Sequence, residues 1–282
     1  MAPQAGLSIC GRKTEQVKDS TKIYSEILAC EASGTNHQTV VLIHGLSGAC
    51  ALWDPVSDVL RQRFQVIRYD LRGHGESGSP EGPWTLGDFV ADLLEVLKRY
   101  EISRIHLAGF SIGGLIAQRF AIDHPDKLER LAIVSAVAGR TSEEKAKVAQ
   151  RLENIREGHY EVNIEASLER WFSPDFREKH PDLVEKRIAL LRNVGRQSGY
   201  LEAFKVFNTS DLADELHRIS APTLVMTGED DPGSSPRMAA LMDSQIPGSR
   251  MEILSGLRHS LLVEAPSLVA EKLNGFFAEE SV

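Results

Sequence analysis

The stretch Ile105-His106-Leu107-Ala108-Gly109-Phe110-Ser111-Ile112-Gly113-Gly114 runs from a short apolar strand directly into Gly-x-Ser-x-Gly and on into the helix-like Leu115-Ile116-Ala117-Gln118. Few sequence features restrict a fold so tightly. The chain must reverse between strand and helix so sharply that a Cβ at Gly109 or Gly113 would collide with neighbouring backbone. Such a turn holds Ser111 in a strained conformation and lifts its hydroxyl to the mouth of a sheet. Alone, Gly-x-Ser-x-Gly occurs by chance in many chains and reads as a glycine-rich β-to-α turn. Its place between a strand and a helix is what points to a serine nucleophile.

Thr39 to Ile43, Thr-Val-Val-Leu-Ile, is a continuous apolar run rich in β-branched residues, as expected of a strand covered on both faces. A second run, Gln65 to Tyr69, precedes the turn-rich Asp70 to Gly78; Leu86, Phe89, Val90, Leu93, Leu94 and Leu97 then repeat at helical spacing up to Tyr100. After the Ser111 turn a helix stops near Asp123-His124-Pro125, and Leu131 to Val134 reads as the next strand. This alternation predicts right-handed βαβ crossovers and an α/β fold: a largely parallel sheet with helices on both faces.

Between about Arg140 and Asp211 the character changes, with no strand-like run, dense charge and the aromatics Trp171, Phe172, Phe176, Tyr200, Phe204 and Phe207. The change predicts a helical insertion over 140–211, leaving 1–139 and 212–282 as one core. The parallel rhythm resumes with Pro222 to Thr227, a helix from about Ser235 to Ser244, a strand near Arg250 to Leu254 and a last helix from Pro266 to Phe277. A chain of 282 residues, 42% hydrophobic, is long enough for one domain with such an insertion.

A serine hydroxyl is too weakly acidic to attack an ester at neutral pH, so it needs a general base in hydrogen-bond reach and an acid to orient that base. Two stretches place candidates just after later strands: Gly228-Glu229-Asp230-Asp231-Pro232 and Gly256-Leu257-Arg258-His259-Ser260. Among nine histidines, His259 is favoured by position. Asp231 is the preferred acid, with Asp230 as its rival and Glu229 still open. Backbone amides supply an oxyanion site without reorganisation: Ile112 N–H at the turn, and Leu46 N–H in His44-Gly45-Leu46-Ser47-Gly48.

These separated motifs resemble the α/β-hydrolase superfamily from about Gln38 to Phe277: His44-Gly45, the Asp70 to Gly78 loop, Gly109 to Gly114, Gly228 to Pro232, and His259 followed by Glu264-Ala265-Pro266. The resemblance implies an eight-stranded, mostly parallel sheet, a helical cap after the sixth strand, and a Ser111, Asp231, His259 triad. Glu169 to Arg177, Gly199-Tyr200 and Asp230 to Gly233 are similar to the 3-oxoadipate enol-lactonase group and its carboxylesterase relatives. That likeness implies a hydrolase of a small ester or lactone. An enol-lactonase also needs a cation for its substrate's carboxylate; Arg192 and Arg196 are candidates, and solvated cap charges are their plainer reading. Trp53, Trp171, Phe204 and Phe207 are candidates to line the substrate pocket, although core packing accounts equally for Trp53.

Other chemistries on this scaffold, C–C bond hydrolysis or perhydrolysis, stay open, as does a non-catalytic small-ligand receptor. Haloalkane dehalogenases and epoxide hydrolases resemble this fold but carry Asp where this chain has Ser111. A formal net charge of −8 argues against nucleic acid or an anionic membrane as partner. No apolar run approaches the roughly 20 residues that span a bilayer, and Met1-Ala2-Pro3-Gln4 lacks an export pattern. Cys10, Cys30 and Cys50 cannot all pair and show no CxxC spacing, which predicts reduced thiols and a cytoplasmic protein. No metal or cofactor is expected, and a homodimer is one option for the assembly.

Overall fold

In the computed structural model, which describes residues 20–33, 37–194 and 198–279, the continuous apolar runs are strands of one sheet. Its members are β1 (Ser25–Leu28), β2 (Thr39–Ile43), β3 (Gln65–Tyr69), β4 (Ile105–Phe110), β5 (Leu128–Val134), β6 (Thr223–Gly228) and β7 (Ser249–Leu254). They lie in the order β1-β3-β2-β4-β5-β6-β7, and every pairing is parallel except that of β1 with β3. The described residues thus hold seven of the eight strands expected. The short antiparallel β1, Ser-Glu-Ile-Leu, carries no continuous apolar run and is only partly buried.

Along β2, alternate residues belong to opposite layers. Val41 and Ile43 join a core with α2 (Leu86–Arg99) and α3 (Ile112–Asp123), whereas Val40 and Leu42 join one with α1 (Asp54–Leu60) and α11 (Pro266–Phe277). Each fully buried Leu, Ile or Phe contributes roughly 1.5–3 kcal/mol, so these two layers, not helix propensity, hold the sandwich together. Helix α2 begins where Thr85 and Asp88 cap each other's backbone N–H groups. The elbow helix α3 is buried nearly all round, which fits its central place.

Between β5 and β6 stand, among the described residues, five α-helices: α4 (Ser142–Arg156), α5 (Tyr160–Trp171), α6 (Pro174–Lys179), α7 (Pro181–Val194) and α8 (Ser198–Thr209). They pack around a third core that includes Leu152, Ile164, Trp171, Phe172 and Phe204. The remaining helices are α9 (Pro236–Gln245) and α10 (Leu261–Glu264). The Ser173 N–H and hydroxyl both donate to the Glu264 carboxylate, at 3.0 and 2.6 Å, tying α6 to α10. Ser260 N–H donates to Trp171 O at 2.9 Å, joining the end of α5 to the loop after β7. Strand order reverses direction between the adjacent β2 and β4, and the crevice outside such a reversal is where open α/β sheets bind ligands.

Candidate active site

At the end of β4 the backbone turns as the two glycines demand. A Cβ on Gly109 would lie 2.1 Å from Gly113 O, and one on Gly113 would lie 2.5 Å from Ile43 O. Ser111 sits between them at φ 58, ψ −118, a region that non-glycine residues avoid unless the surroundings impose it. Ser111 N–H donates to Val134 O at 2.9 Å and anchors the turn to β5.

His259 follows β7 and Asp231 follows β6, so both approach Ser111 from neighbouring strand ends. The His259 Nδ1–H donates to Asp231 Oδ2 at 2.8 Å, and His259 Nε2 lies 3.3 Å from Ser111 Oγ with its lone pair free to accept. The second Asp231 oxygen accepts from the N–H groups of Gly233 and Ser234, at 2.8 and 3.0 Å. Burial by itself would raise the Asp231 pKa, but the facing His259 and these hydrogen bonds outweigh it and hold the carboxyl below its usual range. Asp230 is exposed and Glu229 bonds Ser255 and the Gly256 N–H instead, so Asp231 is the acid that meets His259.

The hydroxyl opens into a cavity of about 740 Å³ between the sheet's carboxyl edge and the inserted helices α4, α5, α7 and α8, and Leu46, Trp171, Phe204 and Phe207 line it. Ile112 is wholly buried at the start of α3, beside Ser111. Trp53 does not belong to this lining. It is fully buried among Val40, Leu42 and Val56 in the layer beneath, and its neighbour Leu52 faces the cavity in its place. The short helical turn Cys50–Trp53 aims consecutive residues in different directions, which residue type alone does not reveal.

Besides Lys147 and Arg258, the cavity is lined by four arginines that the sequence did not single out as its cations: Arg140 after β5, Arg151 on α4, Arg170 on α5 and Arg187 on α7. Among the described residues none of the four forms an ion pair with a carboxylate. Arg140 donates Nη1 to Ser210 O at 3.0 Å while its buried Nη2 has no partner, and Arg170 donates to Ser167 Oγ at 2.9 Å. Burial lowers the pKa of each, to about 9 for Arg170 and about 10 for Arg140 and Arg187, so these three remain charged at neutral pH. Of the acids at the cavity, Glu144 is held by Arg237 and the Thr141 N–H, and Glu169 and Asp230 are exposed. Arg192 pairs with Glu161 on the exposed side, which makes it a solvated cap charge; Arg196, like Cys10, lies outside the described residues.

Behind the Leu46 turn two histidines are buried neutral. His44 donates from Nδ1 to Gly45 O at 2.8 Å and accepts from Leu71 N–H at Nε2, at 2.9 Å. Burial lowers its pKa to about 4 and that of His74, whose ring lies 5.4 Å away, to about 3. An unfolded histidine titrates near 6.5, so below that pH the unfolded chain binds protons that the folded one refuses, and stability falls as pH drops. At about 1.4 kcal/mol per unit, the two together are expected to remove several kcal/mol between about pH 6.5 and 4. Denaturant unfolding at about pH 7, 5.5 and 4.5 measures this; equal midpoints would contradict it.

A parallel sheet with a strained serine turn at its reversal point, facing an aspartate and a histidine from later strand ends, defines the α/β hydrolases. The chain belongs to that family: the α/β-hydrolase-fold sequence profile matches residues 38–266. It is 33% identical over 242 residues to the (E)-2-((N-methylformamido)methylene)succinate hydrolase of Acinetobacter baylyi, covering 85% of this chain and 90% of the relative. It is 30% identical to 3-oxoadipate enol-lactonase 2 of the same organism, over 80% of this chain and 84% of the other. The enol-lactonase structure from Burkholderia xenovorans superposes with a TM-score of 0.83 at 28% identity, covering 91% of this chain and 96% of that one. No helix among the described residues is long and apolar enough to cross a membrane.

Proposed function

We propose that this protein is a serine hydrolase that cleaves a small ester or lactone carrying a free carboxylate, through an acyl-enzyme on Ser111. The observation that carries the reading is the hydrogen-bonded chain from Asp231 through His259 to Ser111, at 2.8 and 3.3 Å. Asp231 fixes the ring with its proton on Nδ1, and Nε2 takes the proton of Ser111 as Oγ attacks the carbonyl. The Leu46 and Ile112 amides receive the oxyanion, the imidazolium returns its proton to the leaving oxygen, and water activated by the same ring releases the acid.

The carboxylate follows from charge. Unpaired cations withdrawn from water are costly unless an anion accompanies them, and Arg151 and Arg170 line the cavity partly buried, with no carboxylate partner among the described residues. Relatives named for a substituted succinate and for 3-oxoadipate enol-lactone act on carboxylic acids, which supports the same reading.

A panel pairing half-esters of short dicarboxylic acids with neutral esters of equal length tests this. The half-esters are expected to show the higher kcat/KM. The double variant Arg151→Met/Arg170→Met should raise KM for them by about 100-fold, since a hydrogen bond to a charged group is worth roughly 1.5–3 kcal/mol. Its effect on neutral esters should stay within about threefold, a difference well under 1 kcal/mol. Equal losses on both classes would refute the carboxylate subsite.

A further inference from the structure

One arginine of the inserted helices reaches past the cavity to the loop that carries Leu46. Arg187 on α7 donates Nη1 to Ser47 O at 2.6 Å, and Nη2 to Leu46 O at 3.3 Å and Ser47 Oγ at 3.2 Å. The Ser47 hydroxyl in turn donates to Leu46 O at 2.6 Å. The guanidinium lies 5.0 Å from the centre of the Trp171 ring, which backs it. Its donors are therefore engaged with backbone, unlike those of Arg151 and Arg170.

The loop needs such a hold. Ser47 has φ 56, a left-handed conformation that a serine keeps only where its surroundings impose it. The core secures one end, through Gly48 N–H to Gly45 O at 3.0 Å and His44 Nδ1 to the same carbonyl at 2.8 Å. Among the described residues, the bonds that reach the Leu46 and Ser47 carbonyls from outside the loop all come from Arg187. The Leu46 N–H itself makes no hydrogen bond among the described residues and is free to point at a ligand.

We propose that Arg187 is a positioning residue that sets the oxyanion loop from the cap, so that the Leu46 donor is aligned only while α7 is docked over it. The inference rests on the reading of Leu46 as an oxyanion donor, and it makes cap placement and transition-state stabilisation one structural unit. Loss of the clamp should act on kcat, because an oxyanion donor works mainly in the transition state.

Three variants, Arg187→Met, Arg187→Gln and Arg187→Lys, are compared with the wild type by two measurements. In amide hydrogen exchange, the segment 44–49 should exchange at least about tenfold faster in Arg187→Met, with α4 and α5 unchanged. In kinetics on a neutral short ester, kcat should fall about 30- to 100-fold with KM within about threefold, because removing an oxyanion donor costs about 100-fold or more. Arg187→Lys, which keeps one charged donor, should recover most of that loss. Unchanged exchange at 44–49 overturns the proposal, as does an intact kcat with KM raised only for carboxylated esters, which would place Arg187 in the substrate subsite. If Arg187→Met loosens the whole cap, Arg187→Gln, a neutral and shorter side chain that keeps a polar donor, decides by the same two readouts. Failure of the acyl-enzyme reading shows separately, as a wild type whose Ser111 takes no fluorophosphonate label, and the exchange result still stands for or against the clamp.

Discussion

Ser111→Ala is expected to lower kcat on the best ester substrate by about 10⁴-fold or more, with the thermal midpoint within about two degrees of wild type. Among the described residues of the cavity, the hydroxyl is the group that combines a strained position with a base 3.3 Å away. Removing Oγ leaves the backbone turn, the Val134 anchor and the arginines in place, so binding survives while covalent attack does not. The residual rate would come from the proposed oxyanion amides and substrate positioning alone. Steady-state kinetics beside a melting curve measure both quantities. A variant that keeps a tenth or more of the wild-type kcat would show that another group attacks.

Asp231→Asn should cost about 10³- to 10⁴-fold in kcat, for a reason of tautomer and not of bulk. The carboxylate accepts the Nδ1 proton at 2.8 Å, which leaves Nε2 as the acceptor facing Ser111. An asparagine amide there would donate to Nδ1, shift the proton to Nε2 and abolish the base. Asp230→Asn is the matched control: that side chain is exposed, and its kcat should stay within about threefold of wild type. If the two variants lose activity equally, orientation of His259 by Asp231 is not what the reaction needs. Because Asp231 is held below the usual carboxylate range, its charge persists across the whole neutral and mildly acidic range.

Much of the fold could be read directly along the chain. The runs Thr39–Ile43 and Gln65–Tyr69 are strands with those bounds, and Pro266–Phe277 is the last helix. β1, which among the described residues pairs with β3 alone, escaped notice because such a strand needs no continuous apolar run, and Ile27 remains 38% exposed. The serine turn and the strand-end placement of Asp231 and His259 were visible for the same local reason: glycine spacing and the change from strand to helix are set by near neighbours.

Trp53 and the arginines show where local reading stops. Trp53 looked like a pocket wall because it follows the proposed oxyanion loop, yet the turn at Cys50–Trp53 sends it into the core at 0% exposure. Arg140, Arg151, Arg170 and Arg187 stand on separate segments, and no spacing among them marks a shared site. Arg192, singled out for the same task, is exposed, does not line the cavity and pairs with Glu161.

By itself the sequence determined the α/β alternation, the strained Ser111 turn and the family, because periodicity and glycine placement encode those features within a few residues. Only the tertiary structure decided that Asp231 meets His259, that Arg151 and Arg170 line the same cavity as Ser111, and that Arg187 grips the Leu46 loop 140 residues away in sequence. Those outcomes depend on how α4, α5 and α7 pack over the sheet. Such packing is settled by which apolar faces bury each other, and it carries the charged side chains to places that their own neighbours in the chain do not specify.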